Sequence, residues 1–288
     1  MAVNLTEKFT SHVDEMFTTE SKKALVTNAD FDWTGAHTIK VHKVNTVAMN
    51  DYDRDGTGSG ANGGSRYGDL GSVGNTLEEL TLKKDRSFTF AIDKLDTDET
   101  GGVLSGASAL ARQQREVIIP EVDTYTYGVM ANGAGTKVTD VTLSDVNIYD
   151  EIIKGTETLD NAEVPDTGRV LTVIPSVYRM MKKNKEINID SDISEKQRLN
   201  GVIGMIDGMD VVKVPEKRMP NKFGFMIAHP VATVAPTKLD DYRVHQDPPG
   251  ISGELVEGRI CYDAFVLDNK KMAIYYCENC LLYTSPSP

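Results

Sequence analysis

Pro120 stands inside a stretch whose apolar residues keep helical spacing on both sides of it. From Val103 to Met130 they fall at 103/104, 107, 110/111, 117/118, 122, 125 and 129, with only Gln114 and Glu121 interrupting. A proline inside a helix removes a hydrogen bond and kinks the rod, at about 3 kcal/mol. A phase kept across that cost predicts one long bent helix. At 1.5 Å per residue, about 28 residues reach roughly 40 Å. In a chain of 288 residues such a helix is a beam that the rest of the fold must use. Ala131-Asn132-Gly133-Ala134-Gly135 predicts a glycine C-cap at its end.

The flanking segments read as an α+β fold. Residues 1–25 are mixed, with helical spacing at Phe9, Val13 and Phe17, and read as an arm. Ile39 and Val41 alternate with Lys40 and His42, as in a half-buried strand. Eight of the 24 glycines then fall between Gly56 and Gly74, which marks a loop tip. Alternation returns at Leu80 and Leu82, then Phe88, Phe90 and Ile92. Two strands around a glycine-rich tip make a long β-arm that exposes two edges and buries little alone.

After the long helix, Leu143, Val146, Tyr149, Ile152 and Ile153 predict a second helix, with Thr142 or Ser144 as its N-cap. Val164–Gly168 reads as a turn and Val170–Ile174 as a short buried strand; Pro175-Ser176 opens a helix through Met181. Val202–Ile206 and Met209–Val214 form a hairpin around Asp207-Gly208. Phe223–Ile227 is a further strand. Ile260–Leu267 and Met272–Tyr276 are expected as a closing hairpin around Asp268–Lys271.

The formal net charge is −12, and no cationic cluster stands out beyond Lys182-Lys183 with Lys185. Gripping duplex DNA needs a basic face with several phosphate contacts. No run of about 18 apolar residues predicts a membrane span, and MAVNLTEKFTSHVDEMF has no apolar core of a secretory signal. The last nine residues, Cys280 to Pro288, match one reading frame of a transposase-based sequencing adapter and are set aside as non-native. The CxxC of Cys277 and Cys280 is then accidental. Cys261 and Cys277 alone give neither a disulfide framework nor a zinc pattern.

The chemistry-bearing strings fail on context. Asp51-Tyr52-Asp53-Arg54-Asp55-Gly56 opens like a calcium loop, but its twelfth position is Asn62 where a bidentate Glu is needed. Gly58-x-Gly60-x-x-Gly63 fits a dinucleotide fingerprint as a string, with loop on both sides where a strand and a helix are required. His12, His37, His42, His229 and His245 show no metal spacing. Asp93, Asp96, Asp98 and Glu99 precede a helix, where its dipole favours negative charge. The sequence therefore assigns no catalytic, cofactor-binding or metal-binding residue and no cofactor.

Taken in order, several strings resemble tailed-phage major capsid proteins of the HK97-like fold. They are Asp51-Tyr52-Asp53-Arg54 before the glycine-rich tip, Asp85-Arg86 with Phe88 and Phe90, and Ile92-Asp93 with Asp96 and Asp98-Glu99-Thr100. Ile119-Pro120-Glu121-Val122-Asp123-Thr124-Tyr125 follows, then Val164-Pro165 with Gly168-Arg169, and Met226-Ile227-Ala228-His229-Pro230. Glu257-Gly258-Arg259-Ile260 and Asp263-Ala264-Phe265-Val266-Leu267-Asp268 close the series. The resemblance covers roughly 5–279.

The resemblance implies an N-arm at 1–36, an E-loop β-arm at 37–95, and a P domain with its spine helix at 96–135. It implies an A domain at 136–238, return strands to the P domain at 239–279, and the adapter artefact at 280–288. It implies a non-enzymatic shell protein that self-assembles into pentamers and hexamers of an icosahedral head. The implied partners are a separate scaffolding protein, portal and head-completion proteins, and packaged double-stranded DNA without sequence-specific binding, with no membrane. The chain begins at the arm, so no fused scaffolding segment is expected. The implied location is the virion capsid, assembled in the bacterial host cytoplasm. Family cross-linking joins Lys to Asn; Lys43, Lys83 and Lys84 lie on the arm, and nothing marks one as reactive. The alternatives are an encapsulin-type nanocompartment shell protein and, from another class, a soluble hydrolase or nucleotide-binding enzyme.

Overall fold

The computed structural model describes residues 20–28, 33, 38–55, 65–100, 105–184 and 202–280. Trp33–Leu82 forms one compact unit, and the rest of the described residues form the other. The first unit holds β1 (Thr38–Val44) and β2 (Asn75–Thr81), an antiparallel pair.

The second unit continues with β3 (Lys84–Asp93), α1 (Lys94–Glu99) and α2 (Gly106–Gln113). A π-helical turn over Gln114–Ile118 joins α2 directly to α3 (Ile119–Gly133). Then come β4 (Thr136–Val141), α4 (Ile148–Asn161), β5 (Val170–Val173), α5 (Pro175–Lys183), β6 (Val202–Ile206), β7 (Met209–Lys213) and β8 (Phe223–Ala228). The chain closes with β9 (Thr233–Val234), β10 (Thr237–Gln246), β11 (Gly253–Tyr262), β12 (Phe265–Val266) and β13 (Ile274–Asn279).

The helix around Pro120 is continuous from Gly106 to Gly133. Its expected unbroken phase is not what the structure shows. The Ile119 N–H bonds the Gln114 carbonyl five residues back, so one extra residue enters the turn just before Pro120. The widened turn accommodates a residue with no N–H to give. Inward positions run 106, 110, 113, then 118, 122, 126 and 130; Ala107 and Val117 point outward. Val103 lies outside the described residues. The glycine C-cap is also corrected: Ala134, with φ −57° and ψ 134°, caps the helix. Gly135 is needed for close approach instead. Its N–H bonds the Lys271 carbonyl at 2.8 Å, and a Cβ there would sit 2.6 Å from that oxygen.

Strand order in the large sheet is β4-β13-β8-β5-β7-β6. β5 runs parallel to β7, β13 runs parallel to β4, and the other pairs are antiparallel. Every residue of β5 and β8 is buried. Ile148, Ile152 and Leu159 of α4 and Val177 and Met181 of α5 complete the same core. The Asp207-Gly208 hairpin forms as expected, with φ +50° and +73°. Pro175 opens α5 at its first turn. The N-cap of α4 is Asn147, later than the expected Thr142 or Ser144; its side-chain oxygen accepts the Ser144 N–H at 2.7 Å. The expected closing hairpin does not exist: Asp268–Ala273 is a 3-10 helix, and β13 pairs with β4 and β8.

A second sheet, β10-β11-β3, is antiparallel. Phe88–Ile92 therefore lies in β3 against β11 and does not continue the strand that contains Leu80. One face turns to the long helix. Arg86 Nε donates to Glu121 Oε1 at 2.8 Å, and Tyr125 Oη donates to Asp263 Oδ1 at 2.7 Å. The opposite face carries ion pairs, Asp85 with Arg259 and Asp241 with Arg243. Glu254 of β11 accepts the Gly106 N–H at the start of α2. Residues 20–28, expected as part of an arm, dock into this unit: Val26 is fully buried, and the Asn28 N–H bonds the Thr233 carbonyl at 2.9 Å.

Candidate assembly interface

β1 and β2 alternate residues between two faces of a two-stranded ribbon, because side chains in a strand point to opposite sides in turn. Thr38 faces Thr81 with their hydroxyls 2.9 Å apart, and His42 faces Leu77. Lys40–Glu79 and Lys43–Glu78 close ion pairs at 2.9 Å each. The Glu79 carboxylate, bonded to the Lys40 ammonium, holds that lysine above its usual pKa. Asn75 Nδ2 donates to His42 Nδ1 at 2.9 Å.

Beyond Val44 the ladder stops, yet the two chain segments stay side by side. The Asn45 N–H bonds the Gly74 carbonyl, and the Asp53 N–H bonds the Arg66 carbonyl, both at 2.9 Å. Asn50 Nδ2 reaches the Asp69 carbonyl at 3.0 Å, and Tyr52 meets Tyr67 edge to face at 5.2 Å. Gly68 has φ +78°, and a Cβ on it would strike the Asn50 side chain at 2.7 Å. The glycines thus let two segments close without a ladder.

Several large apolar side chains of this unit are exposed among its polar ones. Met49 is 99% exposed, Leu70 89% and Tyr67 78%, and Val44, Val47 and Val73 are exposed with them. Burying one such side chain is worth about 1.5–3 kcal/mol. Both outer edges of the ribbon also lack a strand partner among the described residues. Exposed apolar side chains and open edges on one two-stranded unit are the marks of an association surface.

The residues singled out in the sequence scatter. Asp53 turns inward and accepts the Asp55 N–H at 3.1 Å. Gly58-x-Gly60-x-x-Gly63, His12 and His37 lie outside the described residues. His229 Nδ1 accepts the Val231 N–H, and its Nε2 donates to the Thr167 carbonyl at 3.1 Å. His245 lies 3.4 Å from Glu257. Asp93 caps α1 by accepting the Leu95 N–H. Of the three lysines read onto the arm, only Lys43 is on the ribbon. The Lys83 N–H bonds Asp263 in the other unit, and the Lys84 ammonium lies 4.8 Å from the Tyr125 ring centroid. Sequence reading missed the exposed Val47, Met49, Leu70 and Val73. Their signal was apolar residues scattered without period among Gly, Asp and Asn.

No protein-family model matches the sequence, and no curated protein matches it. Solved structures do. A structure from Mycobacterium phage Che8 superposes with TM-score 0.74 at 17% identity, over 96% of this chain and 99% of its own. The mature capsid of bacteriophage PhiM1 gives 0.69 at 15%, over 96% and 92%. The capsid of cyanophage P-SCSP1u gives 0.71 at 12%, over 96% and 93%. The chain has the HK97-like capsid fold of these structures.

Proposed function

We propose that this chain is the major capsid protein of a tailed double-stranded DNA phage, a structural subunit and not an enzyme. The observation that carries the reading is the end-to-end match to phage capsid structures. The exposed apolar ribbon supports it, because such a surface gains burial only against another chain. Copies assemble into pentamers and hexamers of an icosahedral shell. Residues 37–82 act as the E-loop, 106–133 as the spine helix, and 136–238 as the A domain. A scaffolding protein, portal and head-completion proteins are the expected partners, and the shell holds DNA without reading its sequence. The net charge of −12 suits a wall to which packed DNA must not adhere.

Negative-stain microscopy of the purified chain, alone and with its scaffold, tests this. Capsomers or shells are expected. Deleting Asp55–Gly74 should leave a folded monomer and abolish assembly. A chain that stays monomeric under all conditions overturns the reading.

A further inference from the structure

Around β5 and β7 the charged side chains differ between the two strand ends among the described residues. β5 and β7 are parallel and in register, with Val170 opposite Asp210 and Val173 opposite Lys213. Their N-terminal ends meet the C-terminal end of α4 and the β6–β7 turn. There Asp160, Glu163, Asp166 and Asp207 surround a cleft of about 570 Å³. Its cation, Arg169, is buried and spent within the fold. It donates to Asp160 at 2.6 Å, to Asp166 at 3.0 Å and to the Val164 and Pro165 carbonyls. Glu163 and Asp207 are exposed there, and neither enters an ion pair among the described residues.

At the C-terminal ends of the same strands, Lys182, Lys213 and Lys22 gather among the described residues. The Lys182 and Lys213 ammoniums lie 5.5 and 5.4 Å from the Tyr178 ring centroid. Lys22 Nζ donates to the Lys213 carbonyl at 3.1 Å. Burial, then the charges of Lys213 and Arg218, hold Lys22 below its usual pKa. Arg179, by contrast, acts with Lys183 on Asp145, and Lys217 is exposed next to the exposed Glu216. The two ends are separated by four residues of strand, roughly 13 Å, and by the length of α4, roughly 21 Å.

We infer that the basic end around Tyr178 docks on the acidic cleft around Asp207 of a second copy of this chain, so that these two faces pair copies head to tail. The inference rests on the shell reading above and names the faces that close a capsomer. A contact between two different faces is heterologous, and copies joined that way close into rings when the rotation permits. Exposed ion pairs contribute little affinity each. What they supply is partner orientation and encounter rate, both sensitive to salt.

The test reverses each end separately. Lys182→Glu with Lys213→Glu, and Glu163→Lys with Asp207→Lys, alter exposed side chains; thermal unfolding checks that each variant folds. Each pair should lower assembly yield at low salt at least tenfold. The chain carrying all four changes should recover to within about threefold of wild type. Wild-type assembly should slow as salt rises. Folded variants that assemble like wild type, or a four-change chain that fails to recover, overturn the inference and leave the shell reading standing. Normal assembly of Lys182→Glu/Lys213→Glu with loss of bound DNA also overturns it and assigns the basic end to nucleic acid. A wild-type chain that never associates overturns both.

Discussion

Asp123 and Arg218 form an ion pair of 2.8 Å with side chains only 1% and 6% exposed. Ser21 adds its hydroxyl to the other carboxylate oxygen at 2.6 Å, and Arg218 also donates to the Glu20 carbonyl. One node thus ties the long helix, the turn after β7 and the N-terminal segment. Removing one partner leaves a buried charge unmatched, at about 3–5 kcal/mol. Asp123→Ala should lose that much in urea unfolding. Asp123→Leu with Arg218→Met should lose clearly less than the single change.

Two glycines near the β10–β11 turn separate conformation from contact. Gly250 has φ +87° and open space around its Cα; Gly253 has φ +136°, and a Cβ would lie 2.1 Å from the Ile92 carbonyl oxygen. Gly250→Ala should cost about 1 kcal/mol, the left-handed penalty alone. Gly253→Ala should cost several times more, because β3 must move. Equal losses in denaturant titrations would show that the close approach is slack.

Burial pushes the Cys277 thiol up to about 12. The neutral form is therefore favoured in the fold. Its stabilising contribution is complete below the unfolded thiol value of about 8.5 and is lost as pH rises toward 12. Stability of wild type should fall above pH 9 more steeply than that of Cys277→Ala. Native Cys277 should resist a thiol reagent at pH 8 until the chain unfolds.

Hydrogen bonds from Arg259 hold the Asp85 carboxyl below the usual carboxylate value. A depressed acid contributes above its unfolded value, about 3.9, and loses that contribution as pH falls through the lower folded one. Arg259→Ala should raise the Asp85 midpoint toward the usual value in an NMR titration. High salt should narrow the difference, since the pair is exposed.

Replacing Pro120 with Ala returns an N–H to the turn after Ile119. The variant should keep the fold and be at least as stable as wild type. A role for the interrupted turn appears as changed particle size or assembly yield. Identical particles would mark the interruption as a tolerated cost.

Local order was legible where local chemistry decides it. Asp207-Gly208 needs two left-handed residues, Pro175 starts a helix, and Val170–Val173 is a short, mostly apolar run; sequence reading placed all three. β10 was expected only through the resemblance and not from its residues, because Asp241 and Arg243 on its exposed face make the segment look polar. β13 was recognised as a strand but not given its neighbours, since β4 and β8 lie far away in sequence. The candidate interface was legible as a two-stranded ribbon and illegible in its exposed apolar residues, which follow no period. The π-turn was illegible because adjacent apolar residues such as Val117 and Ile118 fit a helical stripe in either register, although a slip of one extra residue rotates that stripe by about 100°.

That slip has a mechanical meaning. A helix with a π-turn is a rod containing a dislocation: one residue more than a straight lattice of hydrogen bonds requires. A dislocation moves by exchanging one bond at a time, so the rod twists without ever being cut. A proline beside it acts as an impurity pins a lattice fault. Pro120 offers no N–H for the next exchange, and the fault stays where Gln114 and Ile119 hold it.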